Sequence, residues 1–199
     1  LAETALRHGI WLFAGSIPLE ASAAGRMRNA TLVFDPAGRC VARSDKIHLF
    51  AFDDGQESYD EAACIEAGAL PVAVDTPFGR VGLSICYDLR FPELYRFYAS
   101  AGADLLLVPS AFTYVTGQAH WELLLRARAV ENLCGVVAAA QGGTHENGRR
   151  TWGHSMVIDA WGQVLAQRAE GAGVALAELD FAALAARRTQ LPALGHRVM

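Results

Sequence analysis

Three stretches of this chain share one turn chemistry: Asp35-Pro36-Ala37-Gly38-Arg39, Asp75-Thr76-Pro77-Phe78-Gly79-Arg80 and Asp159-Ala160-Trp161-Gly162-Gln163. Each lies between two short apolar runs. An aspartate side chain can accept hydrogen bonds from its own turn, and glycine supplies positive φ without steric cost. The pattern predicts hairpins joining 31–34 to 40–43, 72–74 to 81–85, and 155–158 to 164–167. Such hairpins require a sheet, and a sheet must bury one face against something else. Their irregular spacing argues against a solenoid repeat.

The intervening segments supply the cover. Further strands are expected over 10–15, 104–109, 135–140 and 174–179. Helices are expected over 1–8, 92–101, 117–132 and 181–188. The third helix has the clearest face: Trp121, Leu124, Leu125, Arg128 and Ala129 recur at helical spacing, while Glu122, Arg126 and Glu131 fall off that stripe. Helix salt bridges are the expectation for Arg126 and Arg128 with Glu122 and Glu131. The fold class is α/β, a layered sandwich whose sheets carry helices on one face, in a single domain over 1–199.

Composition narrows the function. With 52% hydrophobic and 19% charged residues, the chain is not a disordered one. A net charge of −4 offers no electrostatic footprint for nucleic acid. No apolar run approaches the roughly 20 residues of a membrane span. The expected partners therefore exclude nucleic acid and membrane. The start, Leu1-Ala2-Glu3-Thr4, has neither a basic signal-peptide region nor an initiator methionine. Cys40, Cys64, Cys86 and Cys134 form no C-x-x-C pair. Reduced thiols in a cytoplasmic protein, most of them small buried hydrophobes, are the expectation.

Cys86 ends the apolar run Val81-Gly82-Leu83-Ser84-Ile85 and precedes a helix opened by Pro92 and Glu93. A thiol at a strand-to-helix turn is either an exposed nucleophile or a buried strand-end residue, and both readings are open from position alone. Asp88, Arg90 and Glu93 are expected to steady that turn as an ion-pair network. None of the six histidines sits in a cysteine-protease context, and their spacing fits no metal site. Lysine is the informative residue type: 16 arginines accompany a single lysine, Lys46. A compact ammonium can fill a tight site that a guanidinium cannot, although composition alone favours chance in an Arg-biased sequence.

Lys46 in D-K-I-H-L-F, Cys86 in S-I-C-Y-D-L-R-F-P-E-L-Y, and Pro109-Ser110-Ala111-Phe112 through Gly117-Gln118-Ala119-His120-Trp121-Glu122 to Arg126-Ala127-Arg128-Ala129 follow in order. Together with Trp152-Gly153-His154-Ser155, Leu191-Pro192 and His196-Arg197, they resemble the nitrilase superfamily of carbon–nitrogen hydrolases, in its Nit-type amidase branch. The resemblance covers essentially the whole chain.

That resemblance implies a four-layer αββα sandwich, usually assembled as a homodimer or larger homo-oligomer, with no metal or organic cofactor. It implies a Glu-Lys-Cys triad, with the lysine at Lys46 and the nucleophile at Cys86. A second glutamate beside the lysine maps onto Glu61, with Glu57 of the same loop as the alternative. Lys46 and the backbone N–H of Tyr87 would stabilise the oxyanion, while Phe112 and Thr116 would border the substrate pocket. A packed loop with a capping threonine is the competing reading of that last pair. His120, Trp121 and Glu122 read as structural. The implied substrate is a small carboxylate-bearing primary amide, such as an ω-amide of a 2-oxo acid.

The family's first glutamate, its general base, lies on a strand upstream of the lysine motif. Residues 1–15 resemble the helix and strand that follow it, and Glu3 falls in that helix. The expectation is an N-terminally incomplete domain that lacks the first strand and helix. The alternative is a non-catalytic binding scaffold.

Overall fold

The computed structural model describes residues 1–53, 55 and 57–198. Helix α1 (Ala2–His8) leads into β1 (Leu12–Glu20), β2 (Met27–Phe34) and β3 (Cys40–Asp45), an antiparallel sheet in that spatial order. β4 (Ala51–Asp53) and β5 (Ser58–Asp60) form a small ribbon. β6 (Val72–Thr76), β7 (Gly79–Leu83), α2 (Pro92–Ser100), β8 (Leu105–Leu107), α3 (Tyr114–Asn132) and β9 (Gly135–Ala138) follow. β10 (Gly142–Thr144) and β11 (Arg150–Trp152) make a second ribbon. β12 (Ser155–Ile158), β13 (Val164–Arg168) and α4 (Phe181–Gln190) complete the order. The larger sheet runs β13-β12-β9-β8-β7-β6, parallel across β7-β8-β9 and antiparallel elsewhere.

Alternation along β8 builds the layers, because successive side chains of a strand face opposite ways. Leu106 joins Tyr95 and Tyr98 of α2 and Trp121, Leu125 and Ala129 of α3 in one core. Leu105 and Leu107 point the other way, against Val33 of the smaller sheet. Ala5 of α1 covers the outer face of that sheet through Ala14 and Phe34. Helix, sheet, sheet and helix thus stack in four layers, the αββα sandwich expected. Trp121 is fully buried and its indole N–H donates to the His154 carbonyl at 2.8 Å, so it is a core residue.

The three hairpins form. In two of them the aspartate caps its own turn: Asp35 accepts from Ala37 N and Arg39 N, and Asp159 from Trp161 N and Gln163 N. The middle one differs. Thr76 Oγ1 accepts from Phe78 N and donates to Gly79 O, while Asp75 pairs with Arg80 across the strands.

Several expectations need correction. Segment 174–179 is no strand: Val174 and Leu176 face outward and Ala175, Ala177 and Leu179 inward, yet no neighbouring strand pairs with it among the described residues. Side-chain alternation without a backbone partner does not make a sheet. β1 runs on to Glu20 through Pro18, which lies on the edge strand of its sheet, where proline is tolerated. α3 starts at Tyr114, capped by Thr113 rather than Thr116. Cys40 and Cys64 are exposed, and Cys134 is buried.

Candidate active site

The carboxyl ends of parallel β7 and β8 lie side by side, the crevice where open α/β sheets place their ligands. Cys86 follows β7 there. Its backbone sits at φ 54°, a left-handed conformation that costs a non-glycine residue about 1–2 kcal/mol. Its N–H donates to Pro109 O at 2.9 Å, which ties the turn to the end of β8. Asp88, 1% exposed, closes the turn by accepting from Ile85 N at 2.9 Å. The same carboxylate accepts from His48 N at 2.9 Å and lies 2.7 Å from His48 Nδ1, which makes Nδ1 the protonated ring nitrogen. The His48 ring stacks on Phe91 with centroids 3.6 Å apart.

His48 stands two residues beyond Lys46, so Asp88 fastens the lysine segment to the cysteine turn. Lys46 follows β3 and is 1% exposed, with its Nζ 2.5 Å from Glu61 Oε2. That same oxygen accepts from Phe50 N at 2.7 Å. A buried ammonium without such a partner would cost several kcal/mol. Of the two loop glutamates it is Glu61 that takes this place. Glu61 and Cys86 line one cavity of about 240 Å³ together with Tyr87, Phe112 and Thr116. The structure therefore gathers Lys46, Glu61, Cys86, Tyr87, Phe112 and Thr116 into one region.

Burial pushes the Cys86 thiol above the ordinary cysteine value. The Lys46 charge, the Ala111 backbone amide and, more weakly, Arg149 pull it down, while Glu61 adds to the rise. The thiol is consequently the resting form at neutral pH, and attack by sulfur needs a proton acceptor.

The turn's other charges depart from expectation. Asp88, Arg90 and Glu93 form no ion-pair network among the described residues: Asp88 spends its carboxylate on backbone and His48, and Glu93 is exposed. Arg90 sits 3.2 Å from His120 Nδ1, with its guanidinium near the Tyr87 and Phe112 rings. Arg126 pairs with Glu122 and Arg128 with Glu131. Arg128 is also buried and donates twice to Leu89 O, at 3.0 and 2.8 Å, which anchors the turn onto α3. Glu3 lies in α1, exposed and paired with Arg7. Among the described residues no group of three or more His, Cys, Asp or Glu could hold a metal ion.

Sequence reasoning missed one charged residue of the cavity, Arg149. Its signal was masked: one arginine among 16, in a loop without periodicity.

On a four-layer αββα sandwich, a thiol and a carboxylate line one cavity, and the carboxylate holds a buried ammonium. The chain belongs to the carbon–nitrogen hydrolase family, whose sequence model matches residues 1–189 and whose members cleave non-peptide C–N bonds. It is 43% identical to the deaminated glutathione amidase of Yersinia enterocolitica over 197 residues, covering 98% of this chain and 69% of that protein. It is 42% identical to Omega-amidase NIT2 of Mus musculus, covering 98% of this chain and 70% of that one. The crystal structure of the C. elegans NitFhit protein superposes with a TM-score of 0.93 at 46% identity, covering 99% of this chain and 48% of that chain.

Proposed function

We propose that the protein hydrolyses a small carboxylate-bearing amide through a thioester on Cys86, with release of ammonia. The observation that carries this reading is the cavity that Glu61 and Cys86 line together, with Lys46 bonded to Glu61 and its charge acting on the Cys86 sulfur. Cys86 Sγ attacks the amide carbonyl, a C–S bond forms, and the thiol proton passes to a base. The oxyanion is met by Lys46, which keeps N–H donors beyond the one given to Glu61. The Tyr87 N–H, which precedes the first bond of its turn, from Asp88 N to Ile85 O, is the second donor. The C–N bond then breaks, nitrogen leaves protonated as ammonia, and water cleaves the thioester to restore the thiol. Glu61 holds Lys46 charged and aimed. The resemblance assigns the base to a glutamate upstream of the lysine motif, a role Glu3 does not fill.

The two amidases named above support the substrate class. A homodimer or larger assembly packed across helices fits the exposed Phe97, Leu123 and Val130, and a cytoplasmic location fits the four free thiols. The test measures ammonia released from 2-oxoglutaramate and from deaminated glutathione, alongside alkylation of Cys86 by iodoacetamide. Turnover that vanishes in Cys86→Ala supports the reading, and full activity in Cys86→Ala overturns it. Alkylation at Cys86 with no ammonia from either amide favours the scaffold.

A further inference from the structure

The charged residues lining the Cys86 cavity are Glu61, Arg90 and Arg149. Two guanidinium groups therefore face one carboxylate, and that carboxylate is already bonded to Lys46 and to Phe50 N. Arg90 is occupied by His120 and lies between two aromatic rings. Neither arginine is in an ion pair among the described residues, and Arg149 is set apart by its buried Nε. It stands immediately before β11, half-buried, with Nη2 donating to Ala111 O at 2.9 Å and its guanidinium 5.2 Å from the Tyr59 ring centroid. None of the ion pairs among the described residues involves it. Its Nε is buried with no hydrogen-bond partner among them.

A buried donor without an acceptor costs free energy. A half-buried guanidinium held by the Ala111 carbonyl, the Tyr59 hydroxyl and the Tyr59 ring is preorganised and forms no ion pair among the described residues, and a carboxylate is the group its planar fork matches. We propose that Arg149 receives the substrate's carboxylate while the amide end of the same molecule reaches Cys86. This rests on the amidase reading and adds the residue that selects the anionic substrate. Ala111 ties the two ends together, since its carbonyl accepts from Arg149 while its backbone amide faces the Cys86 sulfur. The cavity thus distinguishes a monoamide of a dicarboxylic acid from the neutral diamide of the same length.

The test titrates the whole chain with glutarate and with the neutral glutaramide. Binding is followed by calorimetry and by protection of Cys86 from iodoacetamide, read at the peptide level. Arg149→Met should weaken glutarate by about 10- to 100-fold, the loss of one charge-assisted pair, and glutaramide by less than about threefold. Arg149→Lys should fall between, because it keeps the charge and loses the fork. Equal weakening of both ligands would mean a structural role for the loop and overturn the proposal. So would glutarate binding no tighter than glutaramide in the unaltered chain, or glutarate affinity untouched in Arg149→Met. If Cys86 resists alkylation throughout, the thioester reading fails while calorimetry still decides the role of Arg149.

Discussion

The carboxylate of Asp88 takes two hydrogen bonds from His48, one from its backbone N–H at 2.9 Å and one from its ring at 2.7 Å, while holding Ile85 N on its other oxygen. The residues are 40 apart in sequence, and this contact joins the lysine-bearing segment to the cysteine turn. Asp88→Asn replaces one accepting oxygen with a donor in a site that has only donors to offer it. A loss of about 1–3 kcal/mol is expected. Thermal unfolding checks the stability, and Cys86 alkylation checks the geometry, which should slow as well. A variant with unchanged melting temperature and unchanged alkylation would show that the clamp does not position the turn.

Glu61→Gln leaves the Lys46 ammonium buried without its counter-charge. Breaking such a pair on one side costs about 3 kcal/mol, which in a chain of this size lowers Tm by roughly 6–12 °C. The double variant Lys46→Met/Glu61→Gln should recover part of that loss, since it removes the stranded charge. A double variant no more stable than Glu61→Gln alone would contradict the pairing.

Cys86 occupies a left-handed backbone conformation. Glycine ordinarily destabilises relative to alanine, but here alanine keeps the strain and glycine relieves it. Cys86→Gly should therefore be more stable than Cys86→Ala by about 1 kcal/mol. Denaturant unfolding of the two variants decides the sign, and an alanine variant at least as stable as the glycine one would remove the strain argument.

Burial raises the Cys86 thiol, so the folded state holds that proton more tightly than the unfolded chain does. The stability this gives is fully present below the ordinary cysteine value and is lost as pH rises through the folded value. Alkylation of Cys86 should climb with pH to a midpoint above the ordinary cysteine value. Lys46→Met, which removes the largest opposing influence, should move the midpoint further up. Cys134, pushed up to about 11 by burial, should label last. A Cys86 midpoint below the ordinary cysteine value would reverse the balance of causes.

The hairpins at Asp35 and Asp159 were legible because aspartate and glycine act on backbone within four residues of themselves. Segment 174–179 was misread because its alternation is a local property and strand pairing is not. The resemblance located Lys46 and Cys86, whose flanking motifs are contiguous in the chain. It left Glu61 and Glu57 unresolved, since their loop holds both within four residues, and only the 2.5 Å contact with Lys46 separates them. Arg149 carried no signal at all. Its Nε has no acceptor among the described residues, and sequence does not record unmet hydrogen bonds.

By itself, then, the sequence determined the local turns, the amphipathic helices, the four-layer class and the chemical types available, because each follows from neighbouring residues or from ordered motifs. Tertiary structure alone decided which glutamate neutralises the buried lysine, that Asp88 welds two distant segments together, and that Arg149 stands half-buried at the cavity with no ion pair among the described residues. Charges interact through space and pay desolvation according to depth, and neither distance nor depth is written along the chain.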